Sequence, residues 1–184
     1  MTTYISILRG INVSGQKLIK MDALRRSYEN LGFHSVTTYV QSGNVIFKGK
    51  NTKPDELAQA ITRQIEKDFG FDVPVIVLSI DKLKQIIDRN PFAKVKESAF
   101  LYVIFLASQP VPYDKKIVED KKLIQEEIGF SDEAIYLYCP KGYGTSKLSN
   151  NLIENKLKVI ATTRNWKTTN ELLKIAQQTT QENG

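Results

Sequence analysis

The order in which strand-like and helix-like segments alternate constrains the fold of this chain more than any other feature. Short apolar runs rich in β-branched and aromatic residues predict strands. They lie near 3–9, 35–40, 44–48, 73–79, 99–107, 134–139, 142–145 and 159–164. Helical spacing of apolar residues predicts helices at 21–31, 54–69, 81–88 and 117–128, from Ser149, and from Thr168. Residues 3–79 therefore follow the order βαββαβ, and residues 99–164 can be read in the same order.

This repeated order predicts an α+β fold of two ferredoxin-like halves packed together, with largely antiparallel sheets and a C-terminal helix. We expect the first half at 1–80, a connecting helix and an Asn-Pro linker at 81–98, and the second half with the final helix at 99–184. The strand at 3–9 has large apolar residues on both sides. Both faces of its sheet are therefore expected to be covered.

The expected topology brings two motifs together that are far apart in sequence. In a βαββαβ sheet with the strand order 4-1-3-2, the first strand ends beside the turn between the second and third strands. Residues 9–12 and 41–44 are therefore expected to form one patch. By the same reasoning, the turn at 140–147 is expected at the equivalent edge of the second half.

Two rare residue types limit the chemistry. Cys139 and His34 are the only cysteine and the only histidine among 184 residues. They exclude an internal disulfide, a zinc site with several thiolates and any site that needs two histidines, so we predict no metal and no cofactor. Both residues are assigned structural roles. No apolar run is long enough for a membrane helix and the N-terminus lacks a basic signal-peptide start, so we expect a cytoplasmic protein with no membrane partner.

Positive charge is concentrated towards the two ends of the chain. Residues 1–50 carry seven Lys/Arg against two Asp/Glu, and residues 141–184 carry seven against three. Residues 51–140 carry twelve against fifteen, and the whole chain has a net charge of +6. Basic ends suit an anionic partner. Nucleic acid or a nucleotide is therefore the predicted class of ligand.

Polar residues in these basic ends are the candidates for a ligand-binding site. They are Arg9, Asn12, Gln41, Ser42, Asn44, Lys147, Arg164, Asn165 and Trp166. The cations would bind phosphate, the amides and the hydroxyl would orient the ligand, and the tryptophan would stack on a base or ring. Each also has a structural interpretation, as a solvated strand end, a turn residue, a helix cap or a core tryptophan. The stretch from Gly142 to Lys147 lacks the full phosphate-loop pattern, and no catalytic residue is predicted.

Five short motifs resemble those of a known bacterial family. They are Leu8–Val13, Tyr39–Val45, Asn90–Phe92, Lys147–Ser149 and Thr162–Trp166. With them the chain resembles the uncharacterised family called domain of unknown function 1697, over roughly Tyr4 to Ala176. Ser14 and Ser146 stand where many relatives have a glycine and an arginine or threonine. The resemblance implies a shared fold and a shared site, with no known activity.

Three functions are compatible with these observations. The leading hypothesis is a binding module whose basic, motif-lined edge takes a phosphate-bearing ligand. One alternative is an enzyme that acts on a small phosphorylated metabolite in a pocket between the two halves. The other is a structural or interaction protein whose motifs hold the halves together. No reaction is predicted, so the sequence leaves open whether the protein is an enzyme.

Overall fold

The computed structural model describes residues 1–181, which form an α+β fold with two four-stranded antiparallel sheets and six helices. The chain divides into two compact units. The first contains Met1–Lys84 together with the segment that begins at Glu171, and the second contains Gln85–Asn170. The residues of the final helix are therefore divided between the two units.

The first unit is built around a sheet with the strand order β2-β3-β1-β4. Its elements are β1 (Thr2–Leu8), α1 (Met21–Asn30), β2 (His34–Tyr39), β3 (Asn44–Gly49), α2 (Pro54–Phe69) and β4 (Val75–Ser79). β1 pairs with β3 and β4, and β3 also pairs with β2, all antiparallel. The end of β1 consequently lies beside the β2–β3 turn.

The helices of the first unit form where their sequence signals place them. α2 starts with Pro54, whose fixed φ suits a first helical position, and ends at Gly70, which adopts a left-handed φ of 78°. One face of α2 is buried through Leu57, Ile61 and Ile65. That apolar face is the main source of stability for the helix, because burial contributes about 25 cal/mol per Å² of apolar surface.

The second unit contains a sheet with the order β6-β7-β5-β8. Its elements are β5 (Leu101–Leu106), α4 (Lys116–Glu119), β6 (Glu127–Phe130), β7 (Ala134–Tyr138), α5 (Asn150–Leu157) and β8 (Ala161–Asn165). α3 (Ile80–Asp88) precedes this unit's sheet, and α6 (Trp166–Gln181) follows it.

Two sequence predictions in the second unit were wrong. Residues 142–145, predicted as a strand, include a 3-10 turn over Tyr143–Thr145. The helix predicted over 117–128 is limited to α4, and Ile128 lies in β6. Helical spacing pointed to a common face with Ile124, yet that side chain is 97% exposed. The pairing of β6 with β7, a tertiary interaction, overrode the local pattern.

This reassignment moves a motif to the other end of the sheet. The hairpin of the second unit is β6–β7, so its turn at 131–133 occupies the position of the β2–β3 turn. The turn at 140–147 instead follows the far end of β7, where the Cys139 N–H donates to the Phe100 carbonyl beside the start of β5. The expectation that this turn lies at the equivalent edge is therefore wrong.

Both faces of each sheet are buried. In the first unit, Leu8, Val45 and Phe47 pack with α1 and α2 in one core cluster. The opposite face of that sheet is also buried, through Ile5, Ile7, Ile46, Ile76 and Leu78. In the second unit one face packs with α5, and the other is buried through Val103, Phe105, Tyr136, Thr162 and Arg164. Strands buried on both sides explain why β1 does not alternate between polar and apolar residues.

No helix within the described residues combines the length and the apolar character needed to cross a membrane.

Candidate ligand-binding site

Asn12 connects the β1–α1 loop to the β2–β3 turn. Its Nδ2 donates to the Gln41 carbonyl at 2.8 Å and to the Ile19 carbonyl at 3.0 Å. Its Oδ1 accepts from the Ile19 N–H at 2.8 Å. Asn12 has a φ of 54°, a left-handed conformation that asparagine adopts more readily than most residues. The two motifs of the first unit are therefore adjacent, as the expected strand order requires, but the Asn12 amide is used within the chain.

The loop beyond Asn12 is a small ordered hairpin. The Gln16 N–H donates to the Val13 carbonyl at 2.9 Å, and these two residues form an isolated antiparallel bridge. Ser14 and Gly15 lie between them with φ values of 51° and 71°, the signs that a type I′ turn requires. The Lys17 ammonium donates to the Asp72 carbonyl, which holds the base of the hairpin. The loop is therefore held in place by several hydrogen bonds.

Gly43 and Asn44 have structural roles in the β2–β3 turn. The Gly43 carbonyl accepts from the Leu8 N–H at 2.8 Å, and Gly43 has a φ of 85°. Asn44 is fully buried, and its Nδ2 donates to the Tyr39 carbonyl and to the Ser42 hydroxyl. Asn44 therefore stabilises the turn and does not face solvent.

The remaining candidates of the first unit reach its surface. Gln41 is exposed, whereas Arg9 and Ser42 are half-buried. The Arg9 N–H donates to the Pro74 carbonyl at 2.9 Å, which fixes the backbone where β1 ends. The exposed Lys20, which the sequence analysis did not select, lies at the start of α1. The sequence signal for Lys20 was its position in the basic N-terminal part of the chain, between the motif at 8–13 and the first predicted helix.

In the second unit Arg164 is buried. Its Nη1 donates to the Thr162 hydroxyl at 3.0 Å and to the Thr163 carbonyl at 2.9 Å. Burial lowers the pKa of the Arg164 guanidinium to about 10, because the charged form loses hydration. Arg164 pairs with Val103 across the strands, so its side chain lies on the face opposite to Thr163.

Asn165 and Trp166 begin the last helix. The Asn165 Oδ1 accepts from the Thr168 N–H at 2.8 Å, as a helix N-cap does. Trp166 is the first residue of α6 and is half-buried. The last helix therefore begins at Trp166 with Asn165 as its cap, whereas the capping-box spacing predicted a start at Thr168.

The glycine turn packs on β8 through Tyr143. The Tyr143 Oη lies 3.1 Å from the Thr163 Oγ1, and the Thr163 hydroxyl donates to the Asn150 Oδ1 at 2.6 Å. The Tyr143 ring lies against Tyr102, with the centroids 5.4 Å apart. Lys147 is exposed in the same connection. The structure thus places the Lys147 turn on the Thr163 face of the sheet and Arg164 on the other face.

Sequence reasoning missed this cluster. Tyr143 lies inside the stretch that it singled out, yet only Lys147 was selected from it. The signal for Tyr102 was its position two residues before Ile104, on the same face of β5. Thr163 could not be chosen without knowing its cross-strand neighbours.

The lone cysteine is inert by environment. Burial, followed by the nearby Glu126 carboxylate, raises the pKa of the Cys139 thiol to about 12. A neutral buried thiol is a poor nucleophile, which agrees with its structural assignment. Among residues 1–181 no group of three His, Cys, Asp or Glu side chains is arranged to hold a metal ion.

Comparisons with known proteins identify the family. The family model described as "Protein of unknown function (DUF1697)" matches residues 1–136, so the motifs at 147–149 and 162–166 lie outside the matched segment. The chain is also similar to the solved structure of the conserved bacterial protein SP0830 from Streptococcus pneumoniae. The TM-score is 0.73 at 23% identity, over 95% of this chain and 98% of that chain, a likeness that shows the fold. A search of curated proteins gave no match. The expected family is confirmed, and the chain belongs to this family of proteins of unknown function.

Proposed function

We propose that this protein binds a phosphate-bearing ligand, a nucleic acid or a nucleotide, through a surface of its first unit. This loop surface consists of Arg9, Lys17, Lys20, Gln41 and Ser42. The observation that carries the proposal is the Asn12 side chain, which makes two hydrogen bonds to Ile19 within the β1–α1 loop and donates a third to the Gln41 carbonyl of the β2–β3 turn. Cations and uncharged donors from separate parts of the chain thereby share one ordered surface.

The charges of this region favour an anion. Residues 1–21 and 30–54 contain no Asp or Glu, so all the charged side chains that the loop and the turn contribute are cationic. A loop that is already ordered loses little conformational entropy on binding, which raises affinity for a given set of contacts. Phosphate contacts of this kind position a nucleic acid without reading its sequence.

Fluorescence anisotropy with labelled RNA and DNA across a salt series tests this function. We expect Lys20→Ala and Arg9→Ala each to weaken binding several-fold at low salt, and to reduce the slope of log K against log salt by about one per lost phosphate contact. Lys67→Ala in α2 removes the same charge from an exposed helical position and serves as the control. It should leave the affinity and the slope unchanged.

Two results would contradict the proposal. One is the absence of binding to either nucleic acid at low salt. The other is an equal loss of affinity in Lys20→Ala and Lys67→Ala, which would indicate attraction by net charge alone. The buried Arg164 provides a further comparison. We expect Arg164→Met to lower the melting temperature, whereas the folded variant should bind nucleic acid through its loop surface with unchanged affinity.

We also propose that the two halves, 1–80 and 99–184 joined by 81–98, are duplicated ferredoxin-like units of a cytoplasmic protein. The support is the order βαββαβ in each sheet region and the matching strand orders β2-β3-β1-β4 and β6-β7-β5-β8. The near absence of cysteine agrees with a reducing compartment.

A further inference from the structure

A pair of half-exposed tyrosine rings lies at one end of the second sheet, where β5 begins and β8 ends. The rings of Tyr102 and Tyr143 have their centroids 5.4 Å apart and their planes inclined by 30°. Tyr102 is paired across the strands with Asn165, so the Asn165 side chain lies beside it on the same face. Both rings pack against the core of the second unit and are partly exposed to solvent.

A chain of hydrogen bonds fixes the outer ring. Because the Thr163 hydroxyl donates to the Asn150 Oδ1, the Tyr143 hydroxyl is the donor to the Thr163 Oγ1. The glycine turn is thereby attached to β8, and the Tyr143 ring is held in one orientation before any ligand arrives. A pre-ordered ring binds a planar ligand at a lower entropic cost than a mobile ring does.

Hydrogen-bond donors lie near the rings, and the turn that carries Tyr143 also carries a cation. Asn150 and Asn165 use their side-chain oxygens to accept from Thr163 and from the Thr168 N–H, and within residues 1–181 their Nδ2 groups have no acceptor. Lys147 is exposed, and residues 134–153 contain no Asp or Glu. A ring pair beside amide donors and a cation combines the features that stack, orient and neutralise a nucleotide unit.

We propose that this tyrosine surface, which consists of Tyr102, Tyr143, Lys147, Asn150 and Asn165, binds single-stranded nucleic acid by stacking bases on its rings. The inference rests on the proposed function, since it names the class of phosphate-bearing ligand. Lys147 contacts the phosphate backbone, and the two amides donate to base edges. Aromatic stacking tolerates every base, so we expect little dependence on sequence.

The first test compares two ligands on the unmodified protein. A labelled oligouridylate of about 12 nucleotides and an abasic oligomer of the same length and charge are titrated at about 50 mM salt, where phosphate contacts are strong. We expect the abasic oligomer to bind about tenfold more weakly, because each stacked base contributes strongly to affinity. Equal binding of the two oligomers would overturn the inference without touching the proposed function, which needs only phosphate.

The second test uses variants of the outer ring. Tyr143→Leu keeps an apolar contact with the core but removes the ring, and should weaken oligouridylate binding about tenfold. Tyr143→Phe retains the ring and should bind within about twofold of the original protein. Lys156→Ala in α5 removes a positive charge outside the tyrosine surface and serves as a control, which should leave oligouridylate binding unchanged. A folded Tyr143→Leu variant that binds as tightly as the original protein contradicts the inference.

A third comparison distinguishes binding of a nucleotide within a single strand from binding of a free mononucleotide. Free UMP is used as a competitor against the labelled oligouridylate. We expect UMP to compete poorly, because it offers a single base and a single phosphate. If UMP binds as tightly as the oligomer, the surface is a mononucleotide site and the single-strand proposal is wrong. If neither the oligomer nor UMP binds, the proposed function fails together with this inference, whereas equal binding of the oligouridylate and the abasic oligomer overturns this inference alone.

Discussion

Several polar residues of the motifs use their side chains for hydrogen bonds to the backbone. Asn12 holds a loop, Asn44 holds a turn and Asn165 caps a helix. Arg164 is buried and bonded within its own strand. Short amides are common in turns and caps because they replace missing backbone partners. The motif residues that suggested ligand binding therefore stabilise tight turns and helix ends. The side chains that can contact a ligand belong to neighbouring residues.

Gly43 is the residue for which the steric requirement is most severe. A Cβ at this position would lie 2.7 Å from the Ile11 Cδ1 and 2.8 Å from the Leu8 Cβ. Its φ of 85° also disfavours a side chain. We expect Gly43→Ala to lower the free energy of unfolding by about 3 kcal/mol, since overpacking adds to backbone strain. Urea denaturation followed by circular dichroism measures this loss.

Gly10 separates the two causes. It has a similar φ of 73°, but a Cβ there would meet no atom within 4 Å. Gly10→Ala should therefore cost only the backbone strain, about 1 kcal/mol. Equal losses for the two variants would show that close packing against Leu8 and Ile11 does not matter.

Among the elements, the β1–α1 loop has the most unusual construction. It carries positive φ values at Gly10, Asn12, Ser14, Gly15 and Lys17, and yet it is ordered by its own hydrogen bonds. Left-handed residues are costly outside glycine and asparagine, and such strain persists only where surrounding contacts require it. The loop is therefore an ordered structure that holds its side chains in fixed positions, and not a flexible connection.

Removing the Asn12 side chain should release this loop. Asn12→Gly keeps the left-handed backbone accessible but deletes three hydrogen bonds, so we expect a loss of about 2 kcal/mol in unfolding free energy. Hydrogen exchange of the Ile19 amide, which donates to Asn12, should become faster.

Ser14→Gly is the matched control, because Ser14 also has a positive φ and is exposed. Its stability should change by no more than about 0.5 kcal/mol. If Asn12→Gly behaves like Ser14→Gly and Ile19 exchange is unchanged, Asn12 does not order the loop.

Over the whole molecule, the end of the chain returns to its beginning. The segment that starts at Glu171 belongs to the same compact unit as Met1–Lys84. The Thr180 hydroxyl donates to the Thr3 Oγ1 at 2.9 Å, a contact that spans 177 positions of sequence. Leu172 and Ala176 of the same helix are buried. The first unit is therefore completed only when the last helix has formed.

A double-mutant cycle measures this long-range contact. Thr3→Val and Thr180→Val keep the shape of each side chain and remove its hydroxyl. We expect a coupling energy of about 1 kcal/mol between them, the usual worth of one hydrogen bond. Thr3→Val combined with Thr62→Val, whose hydroxyl bonds the Val73 carbonyl instead, should be additive. Additivity in the first pair would mean that the Thr3–Thr180 bond does not contribute to stability.

The amino-acid sequence was sufficient for the family, the α+β class and nearly all elements of the first unit, because their signals are local. Pro54 and Gly70 mark the ends of α2, and the motifs at 8–13 and 39–45 mark tight turns at strand ends. It was also sufficient to place those two motifs side by side, since strand order follows from the order of elements. These inferences depend on contacts between residues that are near in sequence or on topology rules.

Tertiary packing decided the rest. Ile128 belongs to β6 because that strand pairs with β7, although its spacing suits a helix equally well. The same pairing moved the Lys147 turn to the other end of the sheet. Cross-strand register put Arg164 on a buried face and left Tyr102 and Tyr143 half-exposed beside Asn165. Successive side chains of a strand point to opposite faces of the sheet. Only the packing of the folded chain determines which of these faces is buried.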